Sequence, residues 1–251
     1  TRNWEDTVLK IFNQNKENLL LEFTATMDFN LNKAIEEKYK SKVIFKYDLK
    51  QFRNDRYSKD IEILRSDTDK KGRILLALIL NQYRQDVASK HGISLKPVIL
   101  FKAQRTIEQS EENKEFFYNL ISNLCKKDIE EVERKTNIPE IKNALDFFEK
   151  QGITKDLLIN RLKVSFAENK CISMNDEKSL EENQILINTL ERPDNQIRAI
   201  FTVQKLNEGW DVLNLFDIVR LYDSQSAGGS TKGGISPSTM SEAQLIGRGA
   251  R

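Results

Sequence analysis

The sequence predicts an α/β protein built on a parallel sheet with helices on its faces, and three observations carry that expectation. Short runs rich in Val, Ile, Leu and Phe recur along the 251 residues, long helical stretches separate them, and Gly, Pro, Ser and Asn punctuate the joins. Strands separated by helices cannot close as tight hairpins, so each return to a neighbouring strand is a crossover and the pairing is parallel. A hydrophobic share of 39% beside 31% charged side chains places the chain among globular proteins with a substantial core.

Taken in order, "NLLLEFTAT" (Asn18 to Thr26) is a compact apolar run ending in hydroxyl residues, and "KVIFKYDL" (Lys42 to Leu49) reads as a second strand. The stretch from Lys70 to Gly92 is long enough for a helix, and Gly92 stops it just after His91. "KPVILFKA" (Lys96 to Ala103) is the next strand. From Thr106 to about Arg161 the text is charged and helical, with Pro139 at a helix start and Gly152 at a break. A strand near "LKVSFA" (Leu162 to Ala167), a helix near Glu177 to Glu191, and strands at "QIRAIFTV" (Gln196 to Val203) and "FDIVRLYD" (Phe216 to Asp223) complete the pattern. "SQSAGGSTKGGISPSTM" (Ser224 to Met240) has the composition of a surface loop.

Composition excludes several chemistries. The 40 basic and 38 acidic side chains leave a formal charge of +2, so contact with nucleic acid must come from local patches. With one histidine, His91, at a helix end, neither a Ser-His-Asp triad nor a multi-histidine metal site is expected. Cys125 and Cys171 stand far apart without a CxxC spacing, which supports neither a disulfide framework nor a zinc site; a reducing cytoplasm is the expectation. The longest apolar run, Ile74 to Leu80, is too short to span a bilayer. Acidic residues are dispersed among lysines at helical spacing, as on a solvated helix face.

Parallel α/β sheets place function where loops leave the carboxyl ends of their strands. Three segments fall there: "FTATM" after the first strand, "QKLNEGWDV" after "QIRAIFTV", and the terminal "QLIGRGAR" beyond the flexible loop. The last carries two arginines, Arg248 and Arg251, threaded through Gly247 and Gly249. One reading makes them helix-end cations that complement the dipole. The other places their charge in a nucleotide cleft.

These segments resemble superfamily-two helicases. "TAT" (Thr24, Ala25, Thr26) is similar to their motif III, "LNEGWDV" to motif V and "QLIGRGAR" to motif VI, in the family's order. The wording of motif V and its continuation "LNLFDIVRLYDS" resembles the Res subunit of type III restriction enzymes in particular, and "KPVILFK" is similar to the motif IV strand. The resemblance implies a RecA-like, P-loop NTPase-like parallel sheet flanked by helices. Residues 1–40 would be the tail of a first motor domain and residues 41–251 a second, with a helical insertion at about 106–161.

No GxxxxGK[ST] loop and no acidic box before "FTAT" occurs, so the resemblance implies a piece of a larger ATP-dependent DNA helicase or translocase, inactive alone. ATP and Mg²⁺ would be cofactors of the intact protein, held stably by neither this piece nor any metal site of its own. By similarity, Arg248, Arg251 and Gln244 are the catalytic group, and Gly209 and Asp211 contact the nucleotide. Thr24, Ala25 and Thr26 couple the domains, or the threonines cap a strand-to-helix turn. Thr202, Lys102 and Arg105 meet the nucleic-acid backbone, although Val203 stands where the family often has Thr. Trp210 packs under its loop or joins the site. Partners implied are double-stranded DNA, the first motor domain and nuclease domain of the same chain, and a methylation and specificity subunit, with no membrane. A type I restriction motor, an RNA helicase, or a non-catalytic module with a motor-like fold are the competing readings.

Overall fold

The structure is a computed structural model that describes residues 2–24, 29, 33–64, 68–175, 177–203, 212–222, 245–247 and 249. The chain divides into two compact units, Thr1–Lys46 and Tyr47–Arg251. In the first, helices α1 (Arg2–Phe12) and α2 (Lys33–Tyr39) are joined by the Lys38–Glu5 ion pair, and the Tyr39 hydroxyl donates to Glu22 Oε1 at 3.0 Å.

The second unit holds α3 (Leu49–Asn54), α4 (Lys70–Lys90), β1 (Val98–Lys102), α5 (Ile107–Asn123), α6 (Lys126–Lys135), α7 (Pro139–Lys150), α8 (Lys155–Ser165), β2 (Cys171–Ser173), α9 (Glu177–Asn188), β3 (Ala199–Thr202) and β4 (Leu215–Arg220). The strands form one sheet in the order β2-β3-β1-β4, parallel throughout, with Phe101 beside Phe201 and Val219. This is the α/β parallel-sheet class that the alternation of strands and helices predicts.

Alternate strand residues serve two cores. Ile99, Phe101, Ala199 and Phe201 join α4 to α8 on one face, and Val98, Leu100, Ile172, Ile200 and Leu215 join Ile187 and Leu190 on the other. A strand buried on both faces has no polar side, which is why "VILF" and "AIFT" read as unbroken apolar runs. The β1 to β2 crossover moves in one direction across the first face. The β2 to β3 crossover moves back across the second, so both keep one hand, as parallel connections require.

Helix α4 carries the fold's centre. Residues 74–80 are all at most 7% exposed, because the helix lies between strands β1 and β4 and helices α6 and α7. A helix covered on every side is apolar all round rather than striped. Asp69 caps its start by accepting from the Gly72 N–H, and its end closes through Gly92, at φ 73°, with the Ile93 N–H donating to the Ala88 carbonyl at 2.9 Å. That left-handed position suits glycine, and His91 is the cap residue beside it.

The helices between Thr106 and Arg161, expected as an insertion, supply much of the first core. Phe117, Ile121, Leu124, Ile129, Ile141, Ala144, Phe148, Leu158 and Leu162 are buried there, and Phe101, Phe117 and Phe201 meet ring to ring at 5.1 to 5.4 Å. They are the crossover layer of the sheet.

Three expected strands are corrected. "LKVSFA" belongs mainly to α8: Leu162 and Phe166 are fully buried, four residues apart, while Val164 between them is 66% exposed, so the period is helical. The edge strand is instead the three-residue Cys171–Ser173, too short to leave a signal. Residues 18–24 and 42–48 form neither strand nor helix. Their apolar side chains are largely open to solvent, with Leu19 81%, Phe23 91%, Ile44 86% and Phe45 78% exposed. Strand composition without a sheet to join does not make a strand.

Below the sheet, the Lys96 ammonium donates to the Asn195 main-chain carbonyl, and burial, reinforced by the Arg198 guanidinium, lowers its pKa from 10.5 to about 8. Between those values the unfolded chain holds more protons, so this contribution to stability is complete above pH 10.5 and is lost as pH falls through 8. Relative to Lys96→Met, the protein is expected to gain on the order of 1 kcal/mol from about pH 7 to about pH 10, a figure discounted for solvent screening. Urea unfolding of both proteins across that range checks it; a difference that stays flat removes Lys96 from the pH dependence.

Candidate functional site

The carboxyl ends of the four strands gather the described part of the site. On the last rung Thr202, Lys102 and Arg220 are direct neighbours in register, so their side chains leave the same face of the sheet. Thr202 is 2% exposed and its hydroxyl donates to the Met174 carbonyl at 2.9 Å, which ties β3 to the end of β2. Lys102 is 5% exposed, and Arg220 is open to solvent. Arg105 is exposed at the turn into α5, where the Arg105 and Thr106 N–H groups donate to Gln109 Oε1 and the Thr106 hydroxyl accepts from the Gln109 N–H. That capping box fixes how the chain leaves β1.

Beyond β2, α5 contributes a polar cluster. Lys114 Nζ donates to Ser173 Oγ at 2.8 Å and to Glu111 at 2.6 Å, and Asn175 Nδ2 donates to the other Glu111 oxygen at 2.7 Å. Burial pushes the Glu111 carboxyl upward, but hydrogen bonds from Lys114, Ser173 and Asn175 outweigh it and hold the group below its ordinary range.

Two cations that sequence reasoning passed over frame β4. At its carboxyl end Arg73, from the first turn of α4, donates through Nη1 to the Tyr222 carbonyl at 3.0 Å and the Arg220 carbonyl at 3.3 Å. At its start Lys59 donates to the Leu215 carbonyl at 3.1 Å and the Gly249 carbonyl at 2.9 Å, with its ammonium 4.6 Å from the Phe216 ring centre. Nothing local marks either residue, since each acts on main chain more than 140 positions away.

The terminal segment lies against the same strand. Residues 245–247 and 249 are helical, and Leu245 packs on the second core. A Cβ on Gly249 would lie 3.4 Å from Leu215 and 3.6 Å from Ile218, ordinary van der Waals contact, so the segment packs on β4 there; at Gly247 nothing lies within 4 Å. Of the residues named from the sequence, Gln244, Arg248, Arg251, Gly209, Asp211, Ala25 and Thr26 lie outside the described residues, as do Trp210 and the loop from Ser224 to Met240. Thr24 is described and exposed, in the first unit. The structure thus brings Lys102 and Thr202 together on one rung, sets Arg105 three residues past Lys102, and adds Arg220. Among the described residues no helix is long and apolar enough to cross a membrane.

A parallel sheet covered on both faces, with its polar and cationic groups collected at the strand ends, defines an α/β protein of the RecA-like class. Similarity gives the relationship. Over 255 aligned residues the chain is 38% identical to the probable type III restriction-modification enzyme HindVIP Res subunit of Haemophilus influenzae, and the match covers 92% of this chain and 49% of that protein. No family model and no solved structure matches. The chain is related to the Res subunits of type III restriction enzymes within the helicase family, and it spans about half the length of this curated relative.

Proposed function

We propose that this chain supplies the second motor domain of an ATP-dependent DNA helicase or translocase, the restriction subunit of a type III restriction-modification system. The observation that carries the reading is the 38% identity to the HindVIP Res subunit over 92% of the chain. The strand-end geometry supports it, because Lys102 and Arg220 leave the same face as Thr202 and give that edge a local positive charge in a nearly neutral protein.

ATP with Mg²⁺, when bound, supplies the phosphoryl group whose transfer powers the motor. Such an edge suits a polyphosphate, since phosphate oxygens need cations at reach and little else. The chain's own part is positional. Arg248 and Arg251 present planar, multi-donor cations to the charge that develops as the terminal phosphate leaves, Gln244 adds a polar contact, and Asp211 after Gly209 accepts from the ribose. Thr24, Ala25 and Thr26 link the nucleotide state to the domain interface. Arg105, exposed at the turn into α5, holds the nucleic-acid backbone without reading its sequence, whereas Lys102, named with it from the sequence, is buried on the last rung of the sheet. In the same reading the thiols and histidine take no part: Cys171 is buried, its thiol pushed up to about 12, and His91 caps α4.

Double-stranded DNA is the proposed track, and the first motor domain, a nuclease domain and a modification subunit are the proposed partners. The test is ATP hydrolysis by the full-length protein, with and without nucleic acid. Mg²⁺-dependent turnover stimulated by duplex DNA is expected, and this chain alone is expected to show none above background. Stimulation by RNA in place of DNA would move the assignment to an RNA helicase, and no hydrolysis under any condition would leave an interaction module.

A further inference from the structure

The terminal segment that carries Arg248 and Arg251 is fastened by a residue nearly 200 positions earlier. Lys59 places one ammonium between two main-chain carbonyls, Leu215 at the start of β4 and Gly249 within the segment, at 3.1 and 2.9 Å. The same ammonium stands over the Phe216 ring. A hydrogen bond from an ammonium to a main-chain carbonyl is charge-assisted, and so is stronger than one between neutral groups. Gly249 is the neighbour of Arg248 and lies two residues before Arg251. Gly249 also approaches Leu215 and Ile218 closely enough that the segment is seated on β4 at this point.

We infer that Lys59 is a positioning residue for the two arginines: it pins the main chain between them to β4 and so fixes where their side chains start. The inference rests on the proposed role of those arginines. Lys59 does not touch the nucleotide in this account. Its contacts to the two carbonyls and to the Phe216 ring are ones that a lysine makes through charge and reach rather than through a shape only it possesses. Arginine at this position keeps the charge and the carbonyl donors, whereas methionine keeps the length and the ring contact and loses both.

The test uses the full-length protein carrying Lys59→Met or Lys59→Arg, with Arg251→Ala as a reference. The first readout needs no nucleotide: amide hydrogen exchange of the peptide covering residues 245–251, compared with the peptide covering β1. Lys59→Met is expected to speed exchange of the terminal peptide about tenfold while β1 exchanges as before, and Lys59→Arg is expected to restore most of the protection. The second readout is ATPase turnover, where Lys59→Met is expected to lower kcat about tenfold or more with KM for ATP within about twofold, as misplacement of a group acting in the transition state requires. Unchanged exchange in Lys59→Met overturns the inference whatever the turnover does. Faster exchange with full kcat, in a protein that Arg251→Ala inactivates, also overturns it, because the anchor is then structural alone. If Arg251→Ala and Arg248→Ala both leave kcat intact, the arginine reading itself fails and the positioning role falls with it, even where exchange shows the anchor to be real.

Discussion

Arg251→Ala in the full-length protein is expected to lower ATP turnover by about 10³- to 10⁵-fold, the range associated with an arginine that neutralises charge on a transferring phosphoryl group. Its melting temperature is expected to stay within the small shift of a surface change. Two readings of "GRGAR" separate here. A cation at a helix end interacts with a partial charge in water, so removing it alters stability by a fraction of a kcal/mol to about 1 kcal/mol and leaves chemistry alone. A cation in a nucleotide cleft acts where charge develops and water is excluded, so its removal falls on kcat. Arg251→Lys is expected to rescue poorly, since a compact ammonium lacks the planar fork that grips two phosphate oxygens. The same comparison applies to Arg248→Ala. Steady-state ATPase kinetics beside thermal unfolding decide between the readings: a well-folded variant with near-normal turnover removes that arginine from the mechanism.

The strands read most clearly ahead of the structure were those buried on both faces. β1 and β3 are buried throughout, so their apolar runs had no competing explanation; β4 is half-buried but still sends Leu215 and Ile218 to one core and Val219 to the other, and α4 was legible through its length and its Gly92 boundary. The edge of the sheet was illegible, because β2 has three residues and takes its pairing from β3 rather than from its own composition. The alternation in "LKVSFA" misled for a related reason. Leu162 and Phe166 are helix-spaced as well as strand-spaced, and only the neighbours of Val164 decide which period holds. At the candidate site, Lys102, Thr202 and Arg105 could be named because they end or follow recognisable strands that resemble the helicase motifs. Lys59, Arg73 and Arg220 could not, since two of them bind distant main-chain carbonyls and the third is a common residue at a strand end whose significance is its register with Lys102.

Asp217→Ala is expected to destabilise the protein by about 3–5 kcal/mol, the loss that follows when one partner of a buried charge network is removed. Asp217 sits in β4 with its side chain 10% exposed, and one oxygen accepts from Asn81 Nδ2 at 2.8 Å while the other pairs with Arg84. Asn81, fully buried, passes the interaction on: its Oδ1 accepts from Arg198 Nη2 at 2.7 Å. Arg198 is 4% exposed and also donates to Gln85 Oε1 at 2.7 Å and to the Pro97 carbonyl at 3.0 Å, with its guanidinium 4.9 Å from the Phe166 ring centre. Burial lowers the Arg198 pKa to about 10, and the charges of Asp217 and Asp86 oppose that fall. Taking Asp217 away leaves Arg198 charged in the interior with less compensation and leaves the Asn81 amide without its acceptor, two penalties that reinforce each other. Asp217→Asn is expected to lose less, because the shape and one acceptor remain. The charge argument makes a further demand. In the Arg198→Met background the buried cation is gone, so Asp217→Ala should cost clearly less than in the native protein, with Arg84 at the surface free to rehydrate. Urea unfolding of the four proteins in that double-mutant cycle measures the coupling, and additive losses would mean that Asp217 stabilises β4 by packing and its Asn81 bond rather than by holding Arg198.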